Sequence, residues 1–536
     1  MKRKAVLGLM LFFLVFAVLA CNRDRSTTAV RSQRSGTDRP RITVSVYDRG
    51  SCDPSEGTMT DNRWTRWVNE NAPVEVVYIP VPRWESTRMW PTMFATGTAP
   101  DLVLEFDVNS RNMMFTQRLI QPIDGLLADS TNYRRLTEQF PSMLVLGRKT
   151  DGLVYDIVVV GYRWESRYLA YRADWLEQLG IAPPATDTEL FAAMKAIADS
   201  GLGGPNTFGF NLGGPGQFII STIYGLGTLG ADWFNPWYLE NDQIVMNWDK
   251  IAAYITFQKD LFDQGIIDRD FLTDTNGEKA YQDWLNGRLG FVSLNQSVDD
   301  PNAYSILLEN NPGARIGFLP IPSTQFGHYG MGTSTGFGSV GVINRASRNA
   351  DAVMAYIDFM LEDSTIRHFT LGPENEYFTQ NSEGLWEEID PGRTALELNY
   401  NIGYQMPISD VVNPYRFARA IATDELSQAV NTLRQHRRDT YRVDYPMQVD
   451  NVHNLPPLDD HLTITLMNAS QICRDIIAQT IVGGSRRTVE AGIAELRSAW
   501  QNAGGNLIIQ YFNEWYRNNT DNAITNKDIY AIPWEK

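Results

Sequence analysis

Residues 168–190 read YLAYRADWLEQLGIAPPATDTEL, and the character of this stretch changes several times. The apolar and aromatic YLAYR favours a strand, and ADWLEQL suffices for one or two helical turns. Gly180 stands just past that helix, where glycine is favoured, and two prolines then prevent the helix from continuing. Thr186 can cap a new helix, with Glu189 three residues later completing a capping box. The segment therefore predicts a strand, a short helix and a long helix that begin an α/β unit.

The part of the chain before this segment shows the same alternation. RITVSVYDRG alternates and is β-branched, and VEVVYIPV predicts a second strand. Between them, TDNRWTRWVNENAP has helical spacing, with Thr60 or Asp61 as the cap. A helix around 88–95 and the apolar DLVLEF follow. This order of strands and helices predicts an open parallel sheet with helices on both faces.

The N-terminus has the features of an export signal. Three basic residues precede an apolar run over residues 5–20, which is short for a membrane-spanning helix. The run stops at Cys21 within VLAC, which resembles a bacterial lipobox and implies cleavage before Cys21 and acylation of that residue. An ordinary cleaved signal, or a transmembrane anchor with a chance cysteine, is the alternative. We expect a lipoprotein signal peptide over residues 1–20 and a flexible tether over residues 21–41.

Charge and length limit the class of protein. The chain has 47 basic and 63 acidic residues, and three of the basic ones lie in the leader. Such an acidic surface repels nucleic acid, so we expect no nucleic acid partner, and the lipid on Cys21 would supply the membrane contact. A chain of 536 residues exceeds what one core usually supports, which predicts two or more lobes. Cys52 and Cys473 could form a disulfide or remain independent thiols.

Several segments, taken in order, resemble one protein family. They are MFATGTAPDLVL, IQPIDGLL, DGLVYDI, the block around ADWLEQLG, LFDQGIIDRDFLT, GRLGFVSLN, GPENEYFTQNSEG and NAGGNLIIQYFNEWYRN. The chain resembles extracellular solute-binding protein family 1, the lipoprotein receptors of ATP-driven sugar importers. The block around ADWLEQLG is the most specific of these segments, and Glu376 replaces a histidine of the family pattern.

The resemblance implies a fold and an organisation into lobes. It implies an α/β, two-lobed, periplasmic-binding-protein-like (type II) fold with a hinge and an interlobe cleft. Chain order in the family suggests that residues 42–164 plus 330–375 form lobe one and residues 165–329 plus 376–536 form lobe two. GYRWESRY and GMGTSTGFG would then be the hinge crossings, where glycines permit the backbone changes of a closing hinge.

Candidate ligand-binding residues follow from the position of strand ends. In open α/β sheets, ligands lie beyond the carboxyl ends of the strands. Two tryptophans in the loop GADWFNPWYLEND add aromatic surface, although a loop tryptophan is more often a packing residue. The candidates are Asp48, Arg49, Arg83, Glu105, Asp107, Arg163, Trp164, Trp233, Trp237 and Asn295.

These residue types suit a sugar, because its ring faces stack on aromatic side chains and its hydroxyls bond with charged and amide groups. Arg49, Arg83 and Arg163 could together recognise a carboxylate, since a guanidinium matches it in bidentate fashion. This pattern favours an acidic oligosaccharide as a hypothesis. The prediction is a lipid-anchored extracellular receptor that delivers an oligosaccharide to the permease subunits of an ABC importer, with no cofactor and no catalytic or metal-binding residue.

The main alternative is a secreted carbohydrate-active enzyme, a glycoside hydrolase or lyase, which would need two carboxylates. Glu374 and Glu376 are close in sequence, but a spacing of two places them on opposite sides of a strand and does not pair them on a helix. The H-E-x-x-H and G-x-S-x-G motifs are absent from the sequence. A chemoreceptor or surface adhesion protein on the same scaffold is a third alternative.

Overall fold

The computed structural model describes residues 39–526 except 84, 162–166, 231–232, 275–276, 295–296, 331–336, 417, 419–423 and 442–450. The predicted signal peptide, Cys21 and most of the predicted tether lie outside the described residues. Among the helices that the structure describes, none has both the length and the apolar character required to cross a bilayer.

The strands are β1 (Arg41–Asp48), β2 (Glu75–Pro82), β3 (Leu102–Leu104), β4 (Ile120–Gln121), β5 (Asp156–Val160), β6 (Leu169–Arg172), β7 (Thr228–Gly230), β8 (Trp233–Asn235), β9 (Tyr238–Glu240), β10 (Gln243–Val245), β11 (Phe291–Val292), β12 (Ile316–Leu319), β13 (Phe337–Asn344), β14 (Phe378–Gln380) and β15 (Trp386–Glu388).

The helices are α1 (Arg63–Asn71), α2 (Ser86–Ala95), α3 (Val108–Thr116), α4 (Asn132–Gln139), α5 (Ser142–Gly147), α6 (Ala173–Gln178), α7 (Asp187–Ser200), α8 (Gly214–Ile223), α9 (Trp248–Asp263), α10 (Glu278–Leu285), α11 (Pro301–Asn310), α12 (Ala350–Met360), α13 (Asp363–Leu371), α14 (Pro391–Glu397), α15 (Glu425–Tyr441), α16 (Asp460–Val482), α17 (Val489–Asn502) and α18 (Gly505–Asn518). Short 3₁₀ helices cover Phe271–Thr273, Asn399–Gly403, Asp410–Val412, Gly484–Arg486 and Thr520–Asn522.

The larger sheet has the strand order β2-β1-β3-β13-β4, and β5 also pairs with β13. β1 runs parallel to β2 and β3, as the strand–helix alternation predicts. β13 runs antiparallel to β3, β4 and β5, so the prediction of a purely parallel sheet is wrong. β13 returns from a distant part of the chain, and its direction is not set by a local strand–helix–strand crossover.

The segment 168–190 folds as its residues predict. β6 is the central strand of a second, antiparallel sheet of order β11-β6-β12. α6 ends before Gly180, which has a φ of +69°. The Thr186 side chain accepts from the Glu189 N–H, and the Glu189 carboxylate accepts from the Thr186 N–H. This capping box sets the start of α7.

The cap of α1 differs from the prediction. Asn62, and neither Thr60 nor Asp61, is its N-cap. The Asn62 side chain accepts from the N–H groups of Trp64 and Thr65, and Thr65 completes a capping box. Asn62 also donates to Tyr404, so a contact distant in sequence favours this cap. With Asp61 as the cap the helix would begin at Asn62, but it begins one residue later, at Arg63.

The buried apolar side chains form two main cores. The first core, with a smaller adjoining cluster, draws on residues 42–160 and 340–408 and on Ile524. The second core draws on residues 168–321 and 441–516. We refer to the parts of the chain around these cores as the first and second lobes.

The exact lobe boundaries stay a prediction, and one observation bears on them. Residue 375 was the expected end of the first lobe, but Tyr377, Tyr400 and Tyr404 are buried in the first core. Ile524, near the end of the described chain, is buried there as well. The chain therefore returns to the first core after the last segment that contributes to the second core.

Side chains from the C-terminal third hold both sides of the predicted hinge. The Leu169 N–H donates to the Tyr441 hydroxyl at 2.9 Å, and that hydroxyl donates to the Leu319 carbonyl at 2.6 Å. In the first lobe, the Ser409 hydroxyl donates to the Val160 carbonyl. Most of the predicted hinge residues between these points, 162–166 and 331–336, lie outside the described residues.

The two cysteines of the described chain are free thiols. Cys473 is buried in the second core, where burial raises the pKa of its thiol to about 12. Cys52 packs at the edge of the first core. The disulfide that the sequence left open is therefore not formed.

We expect His368 to make stability depend on pH. Its ring stacks on Trp67 at a centroid distance of 3.9 Å, and burial, with a smaller contribution from Arg367, lowers its pKa to about 4. The unfolded chain, with a histidine pKa of about 6.5, then binds more protons than the folded protein between those two values. The free energy of unfolding should fall as pH falls through this window. Urea unfolding at several pH values should show that the free energy of unfolding falls less with pH in His368→Phe than in the wild type. Parallel plots of the free energy of unfolding against pH would contradict this expectation.

Candidate ligand-binding site

The carboxyl ends of β1, β2 and β3 bring five of the predicted site residues to one edge of the sheet. These strands are neighbours in the order β2-β1-β3, and the Arg83 N–H donates to the Asp48 carbonyl at 2.9 Å. We call this group the strand-end cluster. Its predicted members are Asp48, Arg49, Arg83, Glu105 and Asp107.

Glu105 holds its neighbours in the strand-end cluster through hydrogen bonds to its buried carboxylate. Its side chain is fully buried, and it accepts from the Tyr47 hydroxyl at 2.6 Å and from Trp90 Nε1 at 2.7 Å. The Asp107 N–H donates to the same carboxylate at 2.7 Å. Burial acts to raise the pKa of Glu105, but the hydrogen bonds from Trp90, Tyr47 and Asp107 outweigh it and hold that pKa below its usual value. Glu105 is thus an ionised group that positions its neighbours in this structure and does not face the solvent.

Two guanidinium groups cover the ring of Tyr47. The Arg83 Cζ atom lies 4.7 Å from the ring centroid, and the Arg49 Cζ atom lies 5.7 Å from it. Burial lowers the pKa of Arg49 first, and the charge of Arg83 lowers it further. No carboxylate within the described residues forms an ion pair with Arg49. The edge of the sheet therefore places two guanidinium groups side by side, and their N–H donors can bind oxygen atoms of a ligand.

Phe106 supplies the exposed aromatic surface beside these cations. It directly follows Glu105, its ring lies 5.8 Å from that of Tyr47, and 42% of the residue is exposed. The Arg83 Cζ atom lies 5.9 Å from its centroid. The sequence analysis missed Phe106, although its place at the end of β3 carried the same signal as that of Glu105. Exposed apolar rings beside charged groups are typical of ligand sites.

Asp48 and Asp107 have local hydrogen-bonding roles in addition to their place in the cluster. The Asp48 carboxylate accepts from the Gly50 N–H at 2.9 Å. Asp107 is the N-cap of α3 and accepts from the Ser110 N–H at 2.7 Å. Both residues keep partial exposure, so their remaining oxygen positions can reach a ligand.

The other predicted site residues do not join the strand-end cluster in the described structure. Trp237 packs on Phe512 and Trp500 at centroid distances of 5.8 and 6.3 Å, which is the packing role of a loop tryptophan. β8 contains the backbone of Trp233. Arg163, Trp164 and Asn295 lie outside the described residues.

The two glutamates considered for the enzyme alternative lie at the surface. Glu376 forms a surface ion pair with Arg393 at 2.8 Å, and Glu374 is exposed. Within the described ranges, no group of three or more His, Cys, Asp or Glu side chains is arranged to hold a metal ion. What the strand-end cluster can do chemically is bind: it combines buried positioning groups with cations and an aromatic ring at an accessible edge.

Comparison with known proteins identifies the family. A family model for the bacterial extracellular solute-binding proteins matches residues 62–365, which is more than half of the chain. The chain belongs to this family. The solute-binding protein is also 21% identical to lipoprotein LipO of Bacillus subtilis (strain 168) over 413 residues, which cover 72% of the chain and 75% of LipO.

Solved structures share the fold of this solute-binding protein. An HMO-binding, ABC-transporter-associated protein of Bifidobacterium longum infantis superposes with a TM-score of 0.68 at 16% identity, over 92% of this chain and 99% of that one. FusA of S. pneumoniae in complex with kestose superposes with a TM-score of 0.66 at 13% identity, over 90% of this chain and 100% of that one. The alginate-binding protein AlgQ2 superposes with a TM-score of 0.65 at 16% identity, over 90% of this chain and 99% of that one. The predicted two-lobed α/β fold is confirmed.

We expect Tyr47→Phe to destabilise the solute-binding protein. The change removes the hydroxyl that donates to Glu105 and accepts from the Phe106 N–H, so a buried carboxylate loses one of its donors. The free energy of unfolding should fall by about 1–3 kcal/mol in urea titrations. Tyr415→Phe is the matched control, because its hydroxyl bonds to Asp363 in an exposed position where water can replace it. Equal losses in both variants would refute the positioning role of Glu105.

Proposed function

We propose that this protein is a lipid-anchored receptor that binds an acidic oligosaccharide in the cleft between its lobes and delivers it to an ABC importer. The observation that carries the proposal is the strand-end cluster, where Arg49, Arg83 and the exposed ring of Phe106 meet at the carboxyl ends of parallel strands. This is the edge at which open α/β sheets bind their ligands.

The chemistry of the cluster suits a sugar. A pyranose ring has apolar faces that stack on an aromatic ring, and Phe106 offers such a face. The hydroxyl groups of a sugar both donate and accept hydrogen bonds, and the partly exposed Asp48 and Asp107 are suitable acceptors. Guanidinium groups donate in a fixed fork to ring and hydroxyl oxygens.

The positive charge supports an acidic sugar in particular. Arg49 and Arg83 stand over the same ring in a chain whose formal charge is −16. Their mutual repulsion falls when a carboxylate binds between them, and a neutral sugar gives no such relief. Among the structural relatives, AlgQ2 is an alginate-binding protein, which agrees with an acidic ligand, whereas FusA is in complex with kestose, a neutral oligosaccharide.

Binding to both lobes explains transport without catalysis. A ligand that contacts both lobes only when they are closed shifts the population toward the closed state by its differential affinity. The permease can then distinguish loaded from empty receptor by its shape, and the partner ATPase supplies the energy. In this scheme the receptor has no chemical step to perform.

We expect Arg83→Gln to weaken the binding of acidic oligosaccharides. Calorimetric titration with a uronic-acid tetrasaccharide should give a Kd roughly tenfold to hundredfold higher than that of the wild type, the usual effect of losing a charged hydrogen bond. Arg66→Gln is the control, because Arg66 forms an exposed ion pair with Asp61 on α1. The carboxyl-reduced tetrasaccharide should show a smaller change in Arg83→Gln.

The same titrations separate the parts of the proposal. Equal affinity of the wild type for the acidic and the carboxyl-reduced sugar removes the acidic specificity. Absence of binding to either sugar, and to a wider oligosaccharide panel, removes the sugar receptor. Shortened products after prolonged incubation would support the secreted enzyme instead.

We expect Cys21→Ala to release the protein from the membrane. The lipobox-like sequence predicts acylation at Cys21, and more than one acyl chain suffices for stable anchoring. Fractionation of cells should find the wild type with membranes and the variant in the soluble extracytoplasmic fraction. Mass spectrometry of the wild-type N-terminal peptide should show the lipid, and an unmodified Cys21 contradicts the anchor.

A further inference from the structure

A cavity of about 680 Å³ lies beside the strand-end cluster and is lined by both lobes. Val145 and Leu146, which pack on the first core, line one side. Leu455 and Trp515, which pack on the second core, line the other. The volume is in the range of sites that hold small ligands, and a ligand here would contact both lobes.

The wall from the first lobe is built on a buried ionic group. Asp156 accepts from Arg111 Nε at 2.9 Å, and Lys149 Nζ lies 3.0 Å from its other oxygen. The side chains of all three residues are at most 6% exposed. Arg148, on the same wall, is exposed and donates to the Gly152 carbonyl. Among the described residues, the lining therefore contains Arg111, Arg148 and Lys149 against one carboxylate, that of Asp156.

This surplus of positive charge is available to a ligand. Lys149 Nζ has three hydrogens; it donates to Asn112 Oδ1 at 3.0 Å and forms an ion pair with Asp156 Oδ1, also at 3.0 Å, without hydrogen-bond geometry. Arg111 uses Nε for Asp156 and Nη1 for the Glu105 carbonyl. No described residue accepts a hydrogen bond from Arg111 Nη2, so this nitrogen and the hydrogens of Lys149 that do not bond to Asn112 can donate to an anion in the cavity. Buried cations in excess of their counterions are costly unless a ligand completes the set.

The opposite wall is ordered and carries an aromatic ring. The His453 N–H donates to the Ile524 carbonyl, and the Ile524 N–H donates to Asn454 Oδ1, each at 2.8 Å. Ile524 is itself buried in the first core, so this wall is fixed to both lobes. Half-buried Trp515 lines the cavity from α18 and provides a ring against which a sugar face can stack.

The cavity adjoins the strand-end cluster through the first turn of α3. Arg111 Nη1 donates to the backbone carbonyl of Glu105 at 2.6 Å, so the backbone of the cluster and the cation of the cavity wall are in direct contact. Exposed Phe106 belongs to the cluster, and exposed Val108 lines the cavity. An oligosaccharide can therefore extend from one region to the other.

We propose that this cavity is a second subsite, in which Lys149 and Arg111 bind the carboxylate of one sugar residue and Trp515 stacks on its ring. The inference rests on the proposed function and extends it: the ligand carries at least two acidic residues, one for each cationic region. A neutral sugar in the cavity would leave the excess charge of its wall uncompensated.

The electrostatics of Lys149 agree with this assignment. Burial lowers the pKa of Lys149, the carboxylate of Asp156 opposes that effect, and Arg111 lowers the pKa further. A ligand carboxylate beside Lys149 Nζ favours the protonated, positively charged form of the lysine. Binding of the carboxylate and protonation of Lys149 therefore reinforce each other. In a chain with 16 excess negative charges, a positive cavity also concentrates anionic ligands locally.

The test is a titration of Lys149→Met with a uronic-acid tetrasaccharide and its carboxyl-reduced counterpart. Met keeps the apolar length of the side chain and removes the charge. We expect the Kd for the acidic sugar to rise about tenfold or more, with the Kd for the reduced sugar changed less than threefold. Lys195→Met is the matched control, because this exposed lysine of α7 pairs only with Asp199 on the surface.

Two further variants keep the inference testable if Lys149→Met does not fold. Arg148→Ala should weaken binding of the acidic sugar only, and Trp515→Leu should weaken binding of both sugars. If the wild type binds neither sugar, nor any member of a wider oligosaccharide panel, the proposed function itself fails. If the wild type prefers the acidic sugar and Lys149→Met and Arg148→Ala keep that preference in full, the subsite fails while the receptor stands.

Discussion

The hydrogen-bonded carboxylate of Glu105 is the contact on which the arrangement of the strand-end cluster depends. Its backbone N–H bonds to Val340 of β13, and its carboxylate receives the hydroxyl of Tyr47 and the indole N–H of Trp90. Arg111 donates to its carbonyl. A buried charge is tolerated only when its lone pairs are satisfied, so these partners are held in one arrangement. Tyr47 in turn is the platform on which the exposed cations rest.

Two cationic regions in an acidic protein provide the physical logic of recognition. The first consists of guanidinium groups stacked on a tyrosine, and the second is the wall of the cavity around Lys149 and Arg111. In the strand-end cluster the guanidinium groups stand beside the carboxylates of Asp48, Glu105 and Asp107, whereas the described wall of the cavity has more cations than carboxylates. In the proposed subsite, an anionic ligand balances the excess charge of this wall, which favours an acidic sugar over a neutral one.

Prediction from the sequence worked best where local rules decide the structure. The capping box of Thr186 and Glu189 depends on a spacing of three residues, and a tertiary contact is not needed to form it. It failed at α1, where Asn62 is held by Tyr404, and at β13, whose antiparallel direction depends on how a distant segment returns to the sheet. Trp237 was ambiguous for the same reason, because the partners that bury it lie in α17 and α18.

The sequence by itself determined the fold class, the strand ends at which the candidate site residues stand and the acidic character of the chain, because periodicity, turn chemistry and charge are local or additive properties. Only the tertiary structure decided that Glu105 is buried while Phe106 is exposed, since adjacent residues of a strand end differ only in the side to which they turn. Only the tertiary structure also brought Lys149 opposite Trp515. The sequence carries no periodic pattern that links these two residues, and their proximity depends on how two separately formed cores meet.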